Sequence, residues 1–208
     1  MSRALDRQAK MPPRNGMSGW DSRFRGPMQF VQPAEYAVSA DPSMTLGTLL
    51  GSCVSACICD PVARIGGLNH FLLPVSDAVS ASELLSETRY GVHAMEMLIN
   101  GIIRLGGRRD RLVGKLFGGA NIIRMSRSPT IGERNQIFAS EFLASEGIPV
   151  KAREMGGASA RRIFFQPALN KVYVQTAGDR STDKVREIET RLKTGTPRTP
   201  GEGEVELF

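Results

Sequence analysis

Residues 54–73 constrain the fold more than any other stretch of the chain. Val54 to Asp60, VSACICD, is a run of small and apolar residues that Pro61 ends. Gly66-Gly67 then leads into Leu68 to Leu73, a second apolar run stopped by Pro74. Both runs have strand length, and Asp60-Pro61-Val62-Ala63-Arg64 between them carries turn residues, so the segment reads as an antiparallel hairpin. With the turn centred near Val62-Ala63, paired positions sum to about 125, which sets Cys53 near Leu72 and Ser55 near His70. Residues two apart on a strand share a face. Cys53 and His70 therefore become diagonal neighbours on one face, within reach of side-chain contact. A register slip of one residue would put them on opposite faces.

The rest of the chain supplies elements around this hairpin. Ala37 to Ala40 reads as a short strand before Asp41-Pro42, and Met44 to Leu50 as another, closed by Gly51. Ser80-Ala81-Ser82-Glu83 has the capping-box pattern of a helix start. From Tyr90 to Leu105 the apolar positions Val92, Met95, Leu98, Ile99, Ile102 and Ile103 follow helical spacing, ended by Gly106-Gly107. Leu112 to Phe117 is a strand, with Gly118-Gly119-Ala120 as a tight passage after it. A helix opens at Ile131, with Ile137, Phe138, Phe142 and Leu143 as its expected buried residues, and stops at Gly147. Arg162 to Phe165 and Lys171 to Gln175 form a final hairpin around Pro167–Asn170. This order predicts an α+β fold in a single domain: a mixed, largely antiparallel β-sheet core with helices packed on it. Ordered structure is expected to begin near Phe30. That divides the chain into a basic, disordered extension over 1–27, a folded domain over 28–178, and a charged tail over 179–208 that is partly helical or disordered.

Composition removes several function classes. The chain has 208 residues, within single-domain range. Its apolar runs are far too short to span a bilayer, and no apolar segment follows the basic residues at the start, against membrane insertion and secretion. Cys53, Cys57 and Cys59 are odd in number and crowded together, which is no disulfide framework. The expectation is a cytoplasmic protein with reduced thiols. The net charge of +6 lies mostly in residues 1–26, which hold six basic and two acidic groups. Without stacked aromatics or a nucleic-acid motif, nucleic acid is not an expected partner. Cys-x-x-x-Cys-x-Cys with one nearby His lacks the spacing of a zinc site. The glycine pairs match no nucleotide-binding pattern. No metal or cofactor is expected.

A buried cysteine is more often packing than chemistry, and Cys57 and Cys59, flanking Ile58, fit that description. His93 reads as an ordinary helix residue. Cys53 and His70 differ because the hairpin brings them together. A free thiol is mostly protonated at neutral pH, and an adjacent imidazolium favours the nucleophilic thiolate. The thiolate can attack an amide or ester carbonyl, and backbone N–H groups at the Gly51-Ser52-Cys53 turn can hold the oxyanion. The imidazole then protonates the departing amine. Its second ring nitrogen needs a partner to fix the tautomer. Thr45, Thr48, Ser55 and Asn69 are the local candidates.

LGSCVSACICDP followed by GGLNHFLLP resembles the chemoreceptor glutamine deamidase family, CheD, and the resemblance continues in YGVHAMEMLINGIIRLGG, KLFGGANI, IGERN and IPVKAREMGGASARRIFFQP. It covers about residues 30–176 in the family's order. The resemblance implies a cysteine hydrolase that converts glutamine side chains of methyl-accepting chemotaxis receptors to glutamate and releases ammonia. It implies Cys53 as nucleophile, His70 as general base and acid, and an upstream threonine that orients the histidine. Gly47 stands six residues before Cys53, where that threonine is expected, and Thr48 is carried over in its place. The implied partners are the cytoplasmic helices of chemoreceptors and a CheC phosphatase. A receptor bundle as substrate calls for a site in an exposed groove. Two rival functions are a receptor glutamyl methylesterase, which needs the same nucleophile, and a non-catalytic module that binds receptor or phosphatase.

Overall fold

The computed structural model describes residues 18–73, 81–122, 129–178, 182–183 and 185–187. Two five-stranded sheets form its centre. In the first, the strand order is β1 (Ser18–Asp21), β2 (Gly26–Phe30), β4 (Thr45–Leu50), β9 (Arg161–Gln166), β10 (Lys171–Thr176). In the second it is β3 (Tyr36–Ser39), β6 (Ile65–Asn69), β5 (Val54–Asp60), β7 (Val113–Gly118), β8 (Val150–Met155). Pairing is antiparallel except for β2 with β4 and β7 with β8. Two helices, α1 (Ala81–Arg104) and α2 (Ile131–Ser145), cover the second sheet. The class is α+β with mixed, largely antiparallel sheets.

The composition of β5 follows from its place between layers. Its even positions Val54, Ala56 and Ile58 pack with Met95, Leu98, Ile99 and Ile102 of α1 and Phe142 and Leu143 of α2. Cys53, just before the strand, shares the opposite face with the odd positions Cys57 and Cys59, packed against Leu46, Leu50, Ile163 and Phe165 of the first sheet. A strand buried on both faces needs no polar alternation, and VSACICD has none. β6 is equally enclosed: a side chain at Gly67 would run into the Ala37 carbonyl oxygen, Val38 and Leu98. Glycine is what lets β3 and α1 close over it.

The hairpin has the anticipated register. Cys57 faces Leu68, Ile58 faces Gly67 and Cys59 faces Gly66, and a bridge joins Val54 to Phe71. β6 ends at Asn69, earlier than Leu73, because the His70 backbone turns to the other side. Its N–H donates to Glu35 O at 2.9 Å, and its carbonyl accepts from Ala34 N–H at 2.8 Å. At the next rung the Asn69 side chain substitutes for the backbone: Oδ1 accepts from Ala56 N–H at 2.9 Å, and Nδ2 donates to Ala94 O at 3.2 Å.

Several expectations need correction. Residues 18–27 form β1, a turn and the start of β2, so order begins well before Phe30. Their short GPMQF and SGWD segments gain stability from pairing with β4 and with each other. The core holds two sheets, since strand pattern cannot say which strands share a sheet. β8 had no counterpart in the sequence reading, and Ile137 is half-exposed on the outer side of α2. The helix expected over Tyr90–Leu105 is the later part of one helix that begins at Ala81. The Ser80 capping pattern lies outside the described residues. Among those that are described, 182–183 and 185–187 are helical, and Val185 packs with Ala120, Ile122 and Ala160. No helix among the described residues is long and apolar enough to cross a membrane.

Candidate active site

Alternation along β4 decides which of its side chains can meet the hairpin. Leu46, Thr48 and Leu50 point into the layer between the sheets, while Gly47 faces the other side, where a Cβ would touch Phe164 and Phe30 at 3.5 Å. A threonine at 47 would therefore point away from His70. Thr48 points to it: Thr48 Oγ1 and His70 Nδ1 lie 2.8 Å apart, both side chains buried.

The hydrogen bonds assign the tautomer. A threonine hydroxyl has one proton. That proton is donated to Val31 O at 2.8 Å, so toward the ring Thr48 offers only lone pairs. The Nδ1 of His70 must then carry its hydrogen, and Nε2 carries the lone pair. Nε2 is buried and meets no hydrogen-bonding protein group. Burial lowers the His70 pKa to about 4, against the opposing pull of the Val31 carbonyl. The ring is therefore neutral at pH 7. The sequence reading expected an imidazolium beside the thiol; a neutral ring with its lone pair on Nε2 can instead accept a proton.

Cys53 lies at the junction of a glycine-bounded loop and β5, on the face that carries His70, with the Val54–Phe71 bridge fixing the diagonal relation. Three successive carbonyls hold its loop. Gly51 O accepts from Ala120 N–H at 2.7 Å, Ser52 O from Asn135 Nδ2 at 2.9 Å and Cys53 O from Gly119 N–H at 2.7 Å. The last contact requires the positive φ of Gly118, +106°, where a Cβ would collide with the Cys53 carbonyl. Cys53 is 5% exposed and His70 4%, so the site is recessed between the sheets rather than open in a groove. The reason is that both side chains point into the interlayer.

The other orienting candidates do not reach the His70 ring. Thr45 precedes Leu46 on the opposite face of β4, Asn69 is taken up by Ala56 and α1, and the buried Ser55 side chain interacts with the Cys57 thiol. Cys57 and Cys59 are buried thiols. Burial pushes both pKa values up, that of Cys59 to about 11, with Lys115 pulling the other way. They stay protonated at neutral pH. His93 stands on α1, away from these contacts. No cluster of three or more His, Cys, Asp or Glu side chains suited to a metal ion occurs among the described residues.

The sequence reading missed Asn135. Its carboxamide is fully buried and joins two separate segments: Nδ2 donates to Ser52 O, and Oδ1 accepts from Leu73 N–H at 2.9 Å. The signal was present, because Ile131, Asn135, Ala139 and Phe142 line one face of α2 and Asn135 is the polar member of that face. Partial desolvation pushes the phenol of Tyr90, on α1, upward, and the charge that Cys53 carries once ionised adds to it.

Comparison with known proteins agrees with the motifs. The family described as CheD, chemotactic sensory transduction, matches residues 72–176. A probable chemoreceptor glutamine deamidase CheD of Rhizobium etli (strain CIAT 652) is 45% identical over 174 residues, 84% of this chain and 92% of that one. Another, of Agrobacterium fabrum, is 47% identical over 157 residues, 76% of this chain and 84% of that one. Among solved structures, the hypothetical protein YfiH of Bacillus licheniformis overlaps 57% of this chain and 49% of its own at 14% identity, with a TM-score of 0.37. This chain belongs to the CheD family.

Proposed function

We propose that this protein hydrolyses glutamine side chains of methyl-accepting chemoreceptors to glutamate, with Cys53 as nucleophile, His70 as general base and acid, and Thr48 as the group that orients His70. The carrying observation is the relay Val31 O, Thr48 Oγ1, His70 Nδ1, which leaves a basic lone pair on Nε2. In the first step the Cys53 proton passes to Nε2, sulfur bonds to the carboxamide carbon, and the C=O π pair moves onto oxygen. Collapse breaks the C–N bond, and the Nε2 proton leaves with ammonia. Water then attacks the thioester and gives its proton to Nε2. The C–S bond breaks and the thiol is restored. A recessed thiol suits this substrate, because a glutamine carboxamide stands on a flexible side chain that can reach in from a helix surface.

The receptor bundle is cytoplasmic, so this reading places the protein in the cytoplasm. The family likeness supports a CheC phosphatase as a second partner, which copurification tests. The catalytic unit is assigned to residues 28–178, extended at its start by β1 and β2. The direct test incubates the protein with a cytoplasmic receptor fragment and reads each site by mass spectrometry. Conversion of glutamine to glutamate with ammonia release is expected, and Cys53→Ala should abolish it while the protein keeps its melting temperature. His70→Ala should cost about a thousandfold or more. Normal turnover by folded Cys53→Ala removes the assignment, and loss of methyl esters with intact glutamines replaces it with an esterase.

A further inference from the structure

We propose that Asn135 is a positioning residue that aims the oxyanion-holding N–H of Cys53. The inference rests on the reading of Cys53 as nucleophile. The Ser52–Cys53 peptide is planar and trans, so its C=O and N–H point in opposite directions. Asn135 Nδ2 holds the Ser52 carbonyl at 2.9 Å from the α2 side of the second sheet. The Cys53 N–H is therefore directed to the other side, toward the interlayer face where Cys53 and His70 point. When sulfur adds to the carboxamide carbon, the carbonyl electron pair becomes an oxyanion next to that sulfur, and a backbone N–H of the nucleophile itself is placed to hold it.

The surrounding geometry makes Asn135 the adjustable part of this device. Of the three carbonyls that fix the loop, those of Gly51 and Cys53 are held by backbone N–H groups, and only that of Ser52 is held by a side chain. The same carboxamide accepts from Leu73 N–H, three residues beyond His70. One rigid group thus sets the nucleophile loop against the segment that follows the base. α2 holds it firmly, since Thr130 and Glu133 form a reciprocal capping box at the helix start.

Asn135→Asp keeps the shape and the acceptor for Leu73 N–H but removes the donor to Ser52 O. Turnover of receptor glutamine is expected to fall about 100-fold in kcat, with KM within about twofold, because the lost interaction forms only in the transition state. Alkylation of Cys53 by iodoacetamide passes through no oxyanion, so its rate should stay within about twofold of wild type. The ratio of variant to wild-type kcat should rise as pH falls and the introduced carboxyl gains a proton to donate to Ser52 O. Folding is read in the same experiment: Cys57 and Cys59 lie deeper than Cys53, at 1% exposure against 5%, so a folded protein takes one label and an unfolded one takes three. If Asn135→Asp does not fold, Asn135→Ser is measured in the same way. A kcat within about threefold of wild type, or a fall in alkylation equal to the fall in kcat, overturns the proposal. The reading it rests on fails separately, if wild-type protein fully alkylated at Cys53 still releases ammonia.

Discussion

At the scale of single residues, His70 carries the most consequence. Its imidazole is buried and neutral, with a pKa lowered to about 4 by burial. In the unfolded chain it titrates near 6.5. Between these values the unfolded state binds the extra proton, so stability is complete above about pH 6.5 and declines as pH falls toward 4, by roughly 3 kcal/mol in all. Chemical denaturation of wild type and His70→Gln across that range should show the decline in wild type and a flatter curve in the variant. Parallel curves would mean that His70 is not held neutral. Thr48→Val tests the tautomer. It preserves shape but removes the Thr48 Oγ1 acceptor from Nδ1–H and the hydroxyl donor from Val31 O. We expect kcat to fall about 10- to 100-fold, with a stability loss of about 1–2 kcal/mol. A variant with unchanged kcat would remove Thr48 from the mechanism.

At the scale of elements, the β5–β6 hairpin shows what a sequence can and cannot specify. Gly67→Ala would drive a methyl into the Ala37 carbonyl and against Val38 and Leu98, pushing β6 from β3 and α1. A loss of about 2 kcal/mol or more is expected, read as a drop in melting temperature. An unchanged melting temperature would show that β3 and α1 are less tightly closed over the strand. The hairpin was legible because two apolar runs flank a turn of known length, and a turn fixes register. Cys53 and His70 became neighbours from that arithmetic alone. From the residues alone Thr48 was legible only as one of four nearby polar residues, since its contact depends on how two sheets face each other, and it was the resemblance that singled it out. β8 was illegible for a different reason. VKAREM carries charged residues at three of its six positions, as befits an edge strand exposed over its middle positions, and its pairing with β7 is parallel and remote in sequence. Asn135 lay hidden in a helix whose amphipathic pattern reads as packing until its two backbone partners are known.

At the scale of the whole molecule, the proposed site draws on all three layers: α2 supplies Asn135, the second sheet and its flanking loops supply Cys53 and His70, and the first sheet supplies Thr48. The first sheet in turn depends on β1 and β2, which lie largely in the segment expected from sequence to be a disordered extension. β2 pairs with β4 in parallel, Met28 opposite Thr45 and Phe30 opposite Gly47, and it delivers Val31, whose N–H donates to Gly47 O at 2.8 Å and whose carbonyl takes the Thr48 proton. The turn between β1 and β2 is anchored as well. Phe24 packs on Phe164 with ring centroids 5.3 Å apart, and the Arg23 guanidinium lies 4.5 Å above Phe164 while bonded to Asp21. Deleting residues 1–30 therefore removes two strands and unpairs one edge of β4. It also frees the residue that holds Thr48 in place. We expect the melting temperature to fall by about 10 °C, on a scale of ~2–4 °C per kcal/mol for a chain of this size, and receptor deamidation to fall with it at temperatures where the truncated protein is still folded. The second effect separates the two accounts. If 1–30 were an appendage, turnover per folded molecule would match wild type. If β2 positions the catalytic relay through Val31, kcat drops even in the folded fraction, and Cys53 still accepts a single iodoacetamide label there because the hairpin that carries it is intact.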